Sequence, residues 1–395
     1  MGPRVLLTTT VRWPSTARLA GAFAGVGAHV EALLPDRHVA GKSRFIARLH
    51  GYSPLRAATS LRRAIARAAP DIVVPCDDRA LMQFLAVGEP ALLARSLGQA
   101  ANYPGLMARR DFIAAAQALD LTAPDTIRLA DDADLEAALR EIGFPAVLKI
   151  DGSWGGDGTA IVHDLEQARA VWRRMAAVPS RLRSVTRAIL RRDAHFLREA
   201  ARPFARRLNL QRFVAGRPAT SAFACWNGRV LASIHMDVLE TLHPRGPATV
   251  MHRVDCEQME RAAVLLAERF GLSGLHGLDF IRDPSGQVHL IEMNPRATQT
   301  CAFAFGRGRD LAAALCGCFT PAPPRPLLTE NPLIALFPQE WRRDPHSPWL
   351  PGAFADIPWD DPAVLRAFLE PGQKPPEGWR EDPEPPLTLR QAVGR

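Results

Sequence analysis

One short strand carries the side chains best suited to chemistry. In Leu290-Ile291-Glu292-Met293-Asn294-Pro295-Arg296 a carboxylate, an amide and a guanidinium stand at alternate positions. Residues at i, i+2 and i+4 of an extended strand project from one face. Glu292, Asn294 and Arg296 therefore line one surface, while Ile291 and Met293 face the core. Hard oxygen donors beside a cation suit a magnesium-bound polyphosphate. Upstream, the segment from Leu278 to Leu290 reads as two strands around a Pro-Ser-Gly turn. That hairpin carries Asp279 back opposite Glu292. Asp279, Glu292 and Asn294 then form a candidate magnesium cage.

Lysine usage gives a second signal. Of 49 Lys plus Arg, the only lysines are Lys42, Lys149 and Lys374. Lys149 closes the apolar strand Phe144-Pro-Ala-Val-Leu-Lys149-Ile150, just before Asp151-Gly-Ser-Trp-Gly155-Gly156-Asp-Gly158-Thr159. An ammonium on a strand reaches phosphate as a point charge, and a glycine-rich loop can bring backbone N–H groups against phosphate oxygens. The bland reading is a hairpin with a chance lysine.

Together with Gln211-Arg-Phe213-Val214-Ala-Gly216, these segments resemble the ATP-grasp superfamily. The likeness is nearest to the ATP-grasp halves of the carbamoyl-phosphate synthase large subunit and spans roughly residues 105 to 305. The resemblance implies that Lys149 contacts the α/β-phosphates of ATP and that Gly155, Gly156 and Gly158 belong to a lid over the β/γ-phosphates. It implies Gln211 at the adenine amino group and Phe213 and Val214 as the hinge that reads the base. Asp279, Glu292 and Asn294 would hold Mg2+, with Mn2+ an alternative. Arg296 would meet the γ-phosphate or the acyl-phosphate made from it. A further basic residue belongs just before the helix Phe112–Leu119. Arg110 is taken for that role, with Arg109 also fitting, and the carbamoyl-phosphate synthase halves use Arg there. One departure is that Gly216 is followed by Arg217-Pro218-Ala219-Thr220-Ser221, with no acidic residue a few positions on, so ribose recognition is left to hydroxyls.

These residues need a scaffold. The first third alternates strands and helices: Val5–Thr10, Ser15–Phe23, His29–Leu33, Leu61–Ala68 and Asp71–Pro75, with Asp77-Asp78 opening the next helix. Such alternation predicts an open parallel sheet, whose ligands bind beyond the carboxyl ends of the strands. Thr8–Trp13 and Cys76–Arg79 then face a substrate surface, although simple helix capping also accounts for Asp77 and Asp78. The expected fold class is α/β. A Rossmann-like pre-ATP-grasp domain (1–104) precedes a two-subdomain α+β ATP-grasp domain (105–320, lid loop 151–159), and a Pro-rich extension (321–395) follows. The aromatics of that extension suggest that it packs back on the body.

Between lid and hinge, residues 179–208 hold nine arginines at spacings that predict amphipathic helices with a basic face. A solvated face is the default; an anionic partner is the alternative, which the net charge of +8 permits. Asp255–Phe270 reads as a core-packed helix, and His243 just upstream is either a site residue or a structural histidine.

Six scattered cysteines without a Cys-x-x-Cys pair fit a reduced cytoplasm. The amino-terminal run is too polar for a signal peptide, and no apolar run approaches ~20 residues. No biotinyl-lysine segment and no internal repeat appear. The implied activity is an ATP- and magnesium-dependent carboxylate–amine ligase acting through an acyl-phosphate on small-molecule substrates. Lys149 and Arg296 are its catalytic cations, and no Ser-His-Asp arrangement is needed. Nucleic acid is not expected as a partner, and family habit favours a homodimer. The alternative is a catalytically silent nucleotide-binding regulator with an anionic partner on its insert.

Overall fold

The computed structural model describes residues 2–151, 158–176, 207–244 and 246–369. The amino-terminal strands β1 (Arg4–Thr8), β2 (His29–Leu34), β3 (Arg48–Gly51) and β4 (Ile72–Pro75) form a parallel sheet in the order β3-β2-β1-β4. Val5, Leu7, Val30 and Val74 pack with the helix Ser15–Ala24, whereas Leu6, Leu33 and Val73 pack with Ala57–Ala68 and Asp78–Val87. Both faces are covered, as a parallel sheet requires. Strand β3 lies within a stretch that the alternation did not resolve.

The chain then builds a small antiparallel sheet from β5 (Thr126–Leu129), β6 (Ala146–Ile150), β7 (Thr159–Val162) and β8 (Leu208–Arg212), ordered β5-β8-β6-β7. Its period of two divides its residues cleanly. Ala146, Leu148, Leu208 and Leu210 pack beneath the helices Asp132–Ile142 and Leu165–Ala176. Val147, Lys149 and Gln211 face the opposite way, into a cleft.

Across that cleft lies a seven-stranded sheet. Its strands are β9 (Arg217–Trp226), β10 (Arg229–Thr241), β11 (Ala248–Val254), β12 (Gly274–Arg282), β13 (Val288–Asn294), β14 (Leu333–Ala335) and β15 (Phe354–Ala355), ordered β13-β12-β9-β10-β11-β14-β15. The helix Glu257–Phe270 buries Met259, Ala262, Ala263, Leu266 and Phe270, the stripe its spacing predicts. The segment beyond Thr320 does pack back: β14 and β15 extend the sheet, and Phe337, Trp359, Leu365 and Phe368 join the core. Arg18 Nη2 holds Asp356 Oδ1 at 2.5 Å, tying this segment to the first helix. The stretch from 370 onward and the arginine-rich insert, save Arg207 and Leu208, lie outside the described residues.

Beneath the large sheet, His276 is fully buried beside Phe223 (ring centroids 5.4 Å apart), and its Nε2–H donates to the Ser273 carbonyl at 3.0 Å. Burial lowers its pKa from the ordinary 6.5 to about 4. Between those values the unfolded chain takes a proton that the folded chain refuses. Stability is therefore intact above pH 6.5 and is lost as pH falls toward 4, by roughly 3 kcal/mol. Urea unfolding at pH 7 and pH 4.5 should show His276→Phe gaining on the wild type at the acid value. A pH-independent gap would contradict this.

Candidate active site

The hairpin β12–β13 brings the predicted carboxylates together, Asp279 standing opposite Glu292 in the register. Around that pair the regular alternation fails. Asp279 pairs with Glu292 but Phe280 pairs with Leu290, leaving Ile291 bulged out of the ladder. A bulge puts two consecutive residues against one partner and re-aims side chains. Ile291 therefore lines the cleft beside Glu292, while Leu290 and Met293 stay buried. The expectation that Ile291 faces the core is corrected by that extra residue.

The cleft between the small sheet, the seven-stranded sheet and the amino-terminal sheet has a volume of about 470 Å³. Its slot is apolar on both walls: Val147 and Ile161 from the small sheet, Ile281 and Ile291 from the large one. Phe213 and Val214 line it at the connection between the sheets. Gln211, 2 % exposed, sits on the same side and donates through Nε2 to Thr126 Oγ1 at 3.0 Å. Such a flat apolar slot with polar groups at its edge suits a planar base.

At the polar end, Asn294 Nδ2 and Thr220 Oγ1 donate to Asp279 at 2.8 and 3.0 Å. Burial and the neighbouring Glu292 charge push the Asp279 carboxyl above its usual range, those two hydrogen bonds opposing them only in part. Burial also pushes Glu292 up, but Arg109 and Lys149 outweigh it and hold that carboxyl below the ordinary range. Lys149 is 5 % exposed, and burial takes its pKa down to about 8 although Glu292 attracts the charged form.

Of the two arginines that the sequence offers for the basic position, Arg109 rather than Arg110 lines the cleft. The helix Arg109–Gln117 buries Arg109, Phe112, Ile113 and Ala116, an i, i+3, i+4, i+7 stripe that points Arg109 into the cleft. Arg109 Nη2 meets Glu292 Oε1 at 2.7 Å, and Nη1 donates to the Ile150 carbonyl. Arg110 lies about 100° further round the helix, exposed, with Asp111 at 3.2 Å. The stripe could have shown this, since Phe112, Ile113 and Ala116 extrapolate back to 109 and not to 110.

Arg296 extends from the end of β13 to the amino-terminal domain. Its Nε donates to Asp78 Oδ1 at 2.9 Å and its Nη2 to Asn294 Oδ1 at 3.0 Å. Asp77 is the helix cap, accepting from Ala80 N at 3.0 Å. Asp78, read with it as a cap, instead meets the site. Trp13, Ser15 and Cys76 complete this end, beyond the carboxyl ends of β1 and β4. Burial pushes the Cys76 thiol up to about 12, so it is no thiolate nucleophile at neutral pH.

Other expectations divide. Gly158 is described, with φ +85°, whereas Gly155 and Gly156 of the lid loop lie outside the described residues. His243 is exposed, and the cleft lining passes it by. His235 joins Ser221 Oγ (2.7 Å) to Glu260 Oε2 (2.9 Å), but Ser221 is fully buried and away from the cleft, so this Ser-His-Glu array ties the sheet to its helix.

Asp279, Glu292 and Asn294 offer a donor set that fits a hard divalent cation needing further oxygens from phosphate. Among the described residues no cluster of three His, Cys, Asp or Glu could hold a metal by itself. The third donor here is an amide. Arg109 and Arg296 now hydrogen-bond Glu292 and Asn294, but each acceptor oxygen keeps a second lone pair.

Residues 192–300 match the model of the ATP-grasp domain. No curated protein matches the chain by sequence. Solved structures match by fold. One is the biotin carboxylase domain of Hydrogenobacter thermophilus 2-oxoglutarate carboxylase, seen with MgADP and bicarbonate, at TM-score 0.57 and 13% identity over 80% of this chain and 70% of that one. Another is N5-carboxyaminoimidazole ribonucleotide synthetase from Thermus thermophilus, at 0.55 and 16% over 79% and 77%. A third is the Aspergillus clavatus carboxyaminoimidazole ribonucleotide synthase complexed with ATP, at 0.57 and 13% over 82% and 79%. The family match is thus to an ATP-grasp domain within residues 192–300, and the solved structures share the α/β fold of the chain.

Proposed function

We propose that this chain is an ATP- and magnesium-dependent ligase that activates a carboxylate for attack by an amine. The observation that carries the reading is a convergence. Lys149 from the small sheet, Asp279, Glu292 and Asn294 from the large one, and Arg296 held by the amino-terminal domain meet at one end of an apolar slot. In the proposed arrangement the base lies between Val147, Ile161, Ile281 and Ile291, with Gln211, Phe213 and Val214 at its edge. Thr220 and Thr241 bring hydroxyls where the ribose would lie. Lys149 neutralises the α/β-phosphates and Arg296 the transferring group. Bound at Asp279, Glu292 and Asn294, Mg2+ would supply charge neutralisation along the polyphosphate.

In the reaction a carboxylate oxygen attacks the γ-phosphorus and the bond to the ADP oxygen breaks. The amine nitrogen then attacks the acyl carbon, and phosphate leaves with the carboxylate oxygen. Phosphoryl transfer of this kind needs positioning and charge rather than a protein nucleophile. Biotin carboxylase and carboxyaminoimidazole ribonucleotide synthetase, which share the fold, support this reading. Arg109 at the helix start supports the finer likeness to the carbamoyl-phosphate synthase halves. We place the protein in the cytoplasm as a homodimer. No described helix is long and apolar enough to cross a membrane.

The test is ADP release from magnesium-ATP against a panel of carboxylic acids, each with and without mixed amines. Release that needs one acid and rises with one amine supports the ligase. Tight ATP binding with no release from any mixture contradicts it. In the same assay Arg109→Ala should lose about 10²-fold in turnover, because it removes the cation paired with Glu292 and so disturbs the preorganised charge of the site. Arg110→Ala should stay within about twofold, as expected of an exposed pair. The reverse order would restore Arg110 to the site.

A further inference from the structure

We propose that Asp78 is a positioning residue that holds Arg296 off the metal-binding carboxylates, so that the amino-terminal domain sets the geometry of the phosphoryl site. The proposal rests on the ligase reading for its kinetic consequences, but not for its structural one. Asp78 opens the helix Asp78–Val87, and the residue before it is held unusually well. Asp77 Oδ2 accepts from Thr9 Oγ1 at 2.9 Å and Thr10 N at 2.6 Å. Its Oδ1 accepts from Thr10 Oγ1 at 2.9 Å and Ala80 N at 3.0 Å. Three of these bonds fix the turn between β4 and the helix against the loop after β1, and the fourth caps the helix. A second tie runs from Ala297 N to the Pro75 carbonyl at 3.0 Å and clamps the end of β13 to the same turn.

From this anchored turn Asp78 Oδ1 accepts a hydrogen bond from Arg296 Nε at 2.9 Å. The other contacts of the guanidinium are neutral: Asn294 Oδ1 at 3.0 Å and the Ala297 carbonyl at 3.3 Å. Among the described residues Asp78 is thus the one carboxylate bonded to a side chain that would otherwise choose among several rotamers. Three further carboxylates compete for the charge, Asp77, Asp279 and Glu292, the last already paired with Arg109. Asp77 already accepts four hydrogen bonds. Asp279 accepts only from Asn294 and Thr220 and belongs to the metal set. Without Asp78 the guanidinium is drawn toward Asp279, where it both leaves its place beside Asn294 and opposes a cation at that carboxylate.

A plain structural role is the competing account, since an acidic residue in the first turn stabilises any helix. That account predicts a lower melting temperature and unchanged kinetics. The experiment therefore combines crystal structures of the wild type, Asp78→Ala and Asp78→Asn with magnesium titrations of acid-dependent ADP release. In Asp78→Ala we expect Arg296 to leave Asn294 and turn toward Asp279. Turnover should fall about 30-fold, within the range that a misplacement of about 1 Å costs, and the magnesium concentration for half-maximal rate should rise about tenfold. Asp78→Asn keeps an acceptor for Nε and should recover most of the loss. An Arg296 that stays on Asn294 in Asp78→Ala overturns the proposal, whatever happens to the rate. If the wild type itself releases no ADP with any acid, the ligase reading fails, and the position of Arg296 in Asp78→Ala still decides this one.

Discussion

Glu292→Gln is expected to reduce magnesium-dependent ADP release at least about 10³-fold while leaving the fold intact. Glu292 stands at the centre of the charge network. Arg109 meets its Oε1 at 2.7 Å, and Lys149 and Arg296 lie close enough to lower its pKa. Gln keeps an oxygen for Arg109 and nearly the same volume, so packing against Ile291 and Asp279 survives. What disappears is the negative charge that balances these cations and would neutralise a divalent ion. Preorganised charge of this kind is usually the largest single contribution to transfer of an anionic group. Raising magnesium should recover part of the rate, because the surviving ligands bind the ion more weakly. Turnover within tenfold of the wild type at ordinary magnesium would remove Glu292 from the metal set.

Lys149→Met should cost about 10²–10³-fold in turnover and, in the nucleotide-free protein, stabilise rather than weaken the fold. The ammonium is 5 % exposed on β6, and burial lowers its pKa from 10.5 to about 8. The folded chain therefore carries the charge at a cost, and a linear apolar side chain of similar length removes that cost. The pH dependence has a definite sign. Between pH 8 and 10.5 the unfolded chain binds a proton at this lysine that the folded chain has released. Wild-type stability should therefore rise with pH across that window relative to Lys149→Met, by roughly 3 kcal/mol in total. Binding of a polyphosphate should follow the opposite course in the free protein and weaken above pH 8 as the ammonium is lost. Chemical denaturation at pH 7.5 and 10 checks the first part, and nucleotide titration the second. Unchanged turnover in Lys149→Met would sink the assignment.

Much of this site is legible in the sequence because it sits on strands, where period two fixes direction. Glu292 and Asn294 alternate with Met293, Lys149 alternates with Leu148, and Gln211 alternates with Leu210, each as the pleat requires. The core helices are legible for the same reason, at a period of 3.6. The errors fall where one extra residue or one helical step matters. A bulge at Ile291 turns an expected core side chain into a wall of the slot, and nothing in the local composition marks the bulge. Arg109 and Arg110 are chemically identical, and only the continuation of the buried stripe separates them. Asp78 was hidden differently. Its partner Arg296 is 218 residues away in sequence, and no local pattern connects the first turn of a helix in one sheet domain with the end of a hairpin in another. Long-range ion pairs of this sort depend on how domains pack, which motif spacing does not encode.

The most direct test of the acyl-phosphate follows an oxygen atom. The acid that supports ADP release is supplied with both carboxylate oxygens as ¹⁸O, with magnesium-ATP and the amine, and the inorganic phosphate is analysed by mass. Attack of the carboxylate on the γ-phosphorus predicts one ¹⁸O in each phosphate released. Phosphate free of ¹⁸O, with product still formed, would contradict the proposed activation.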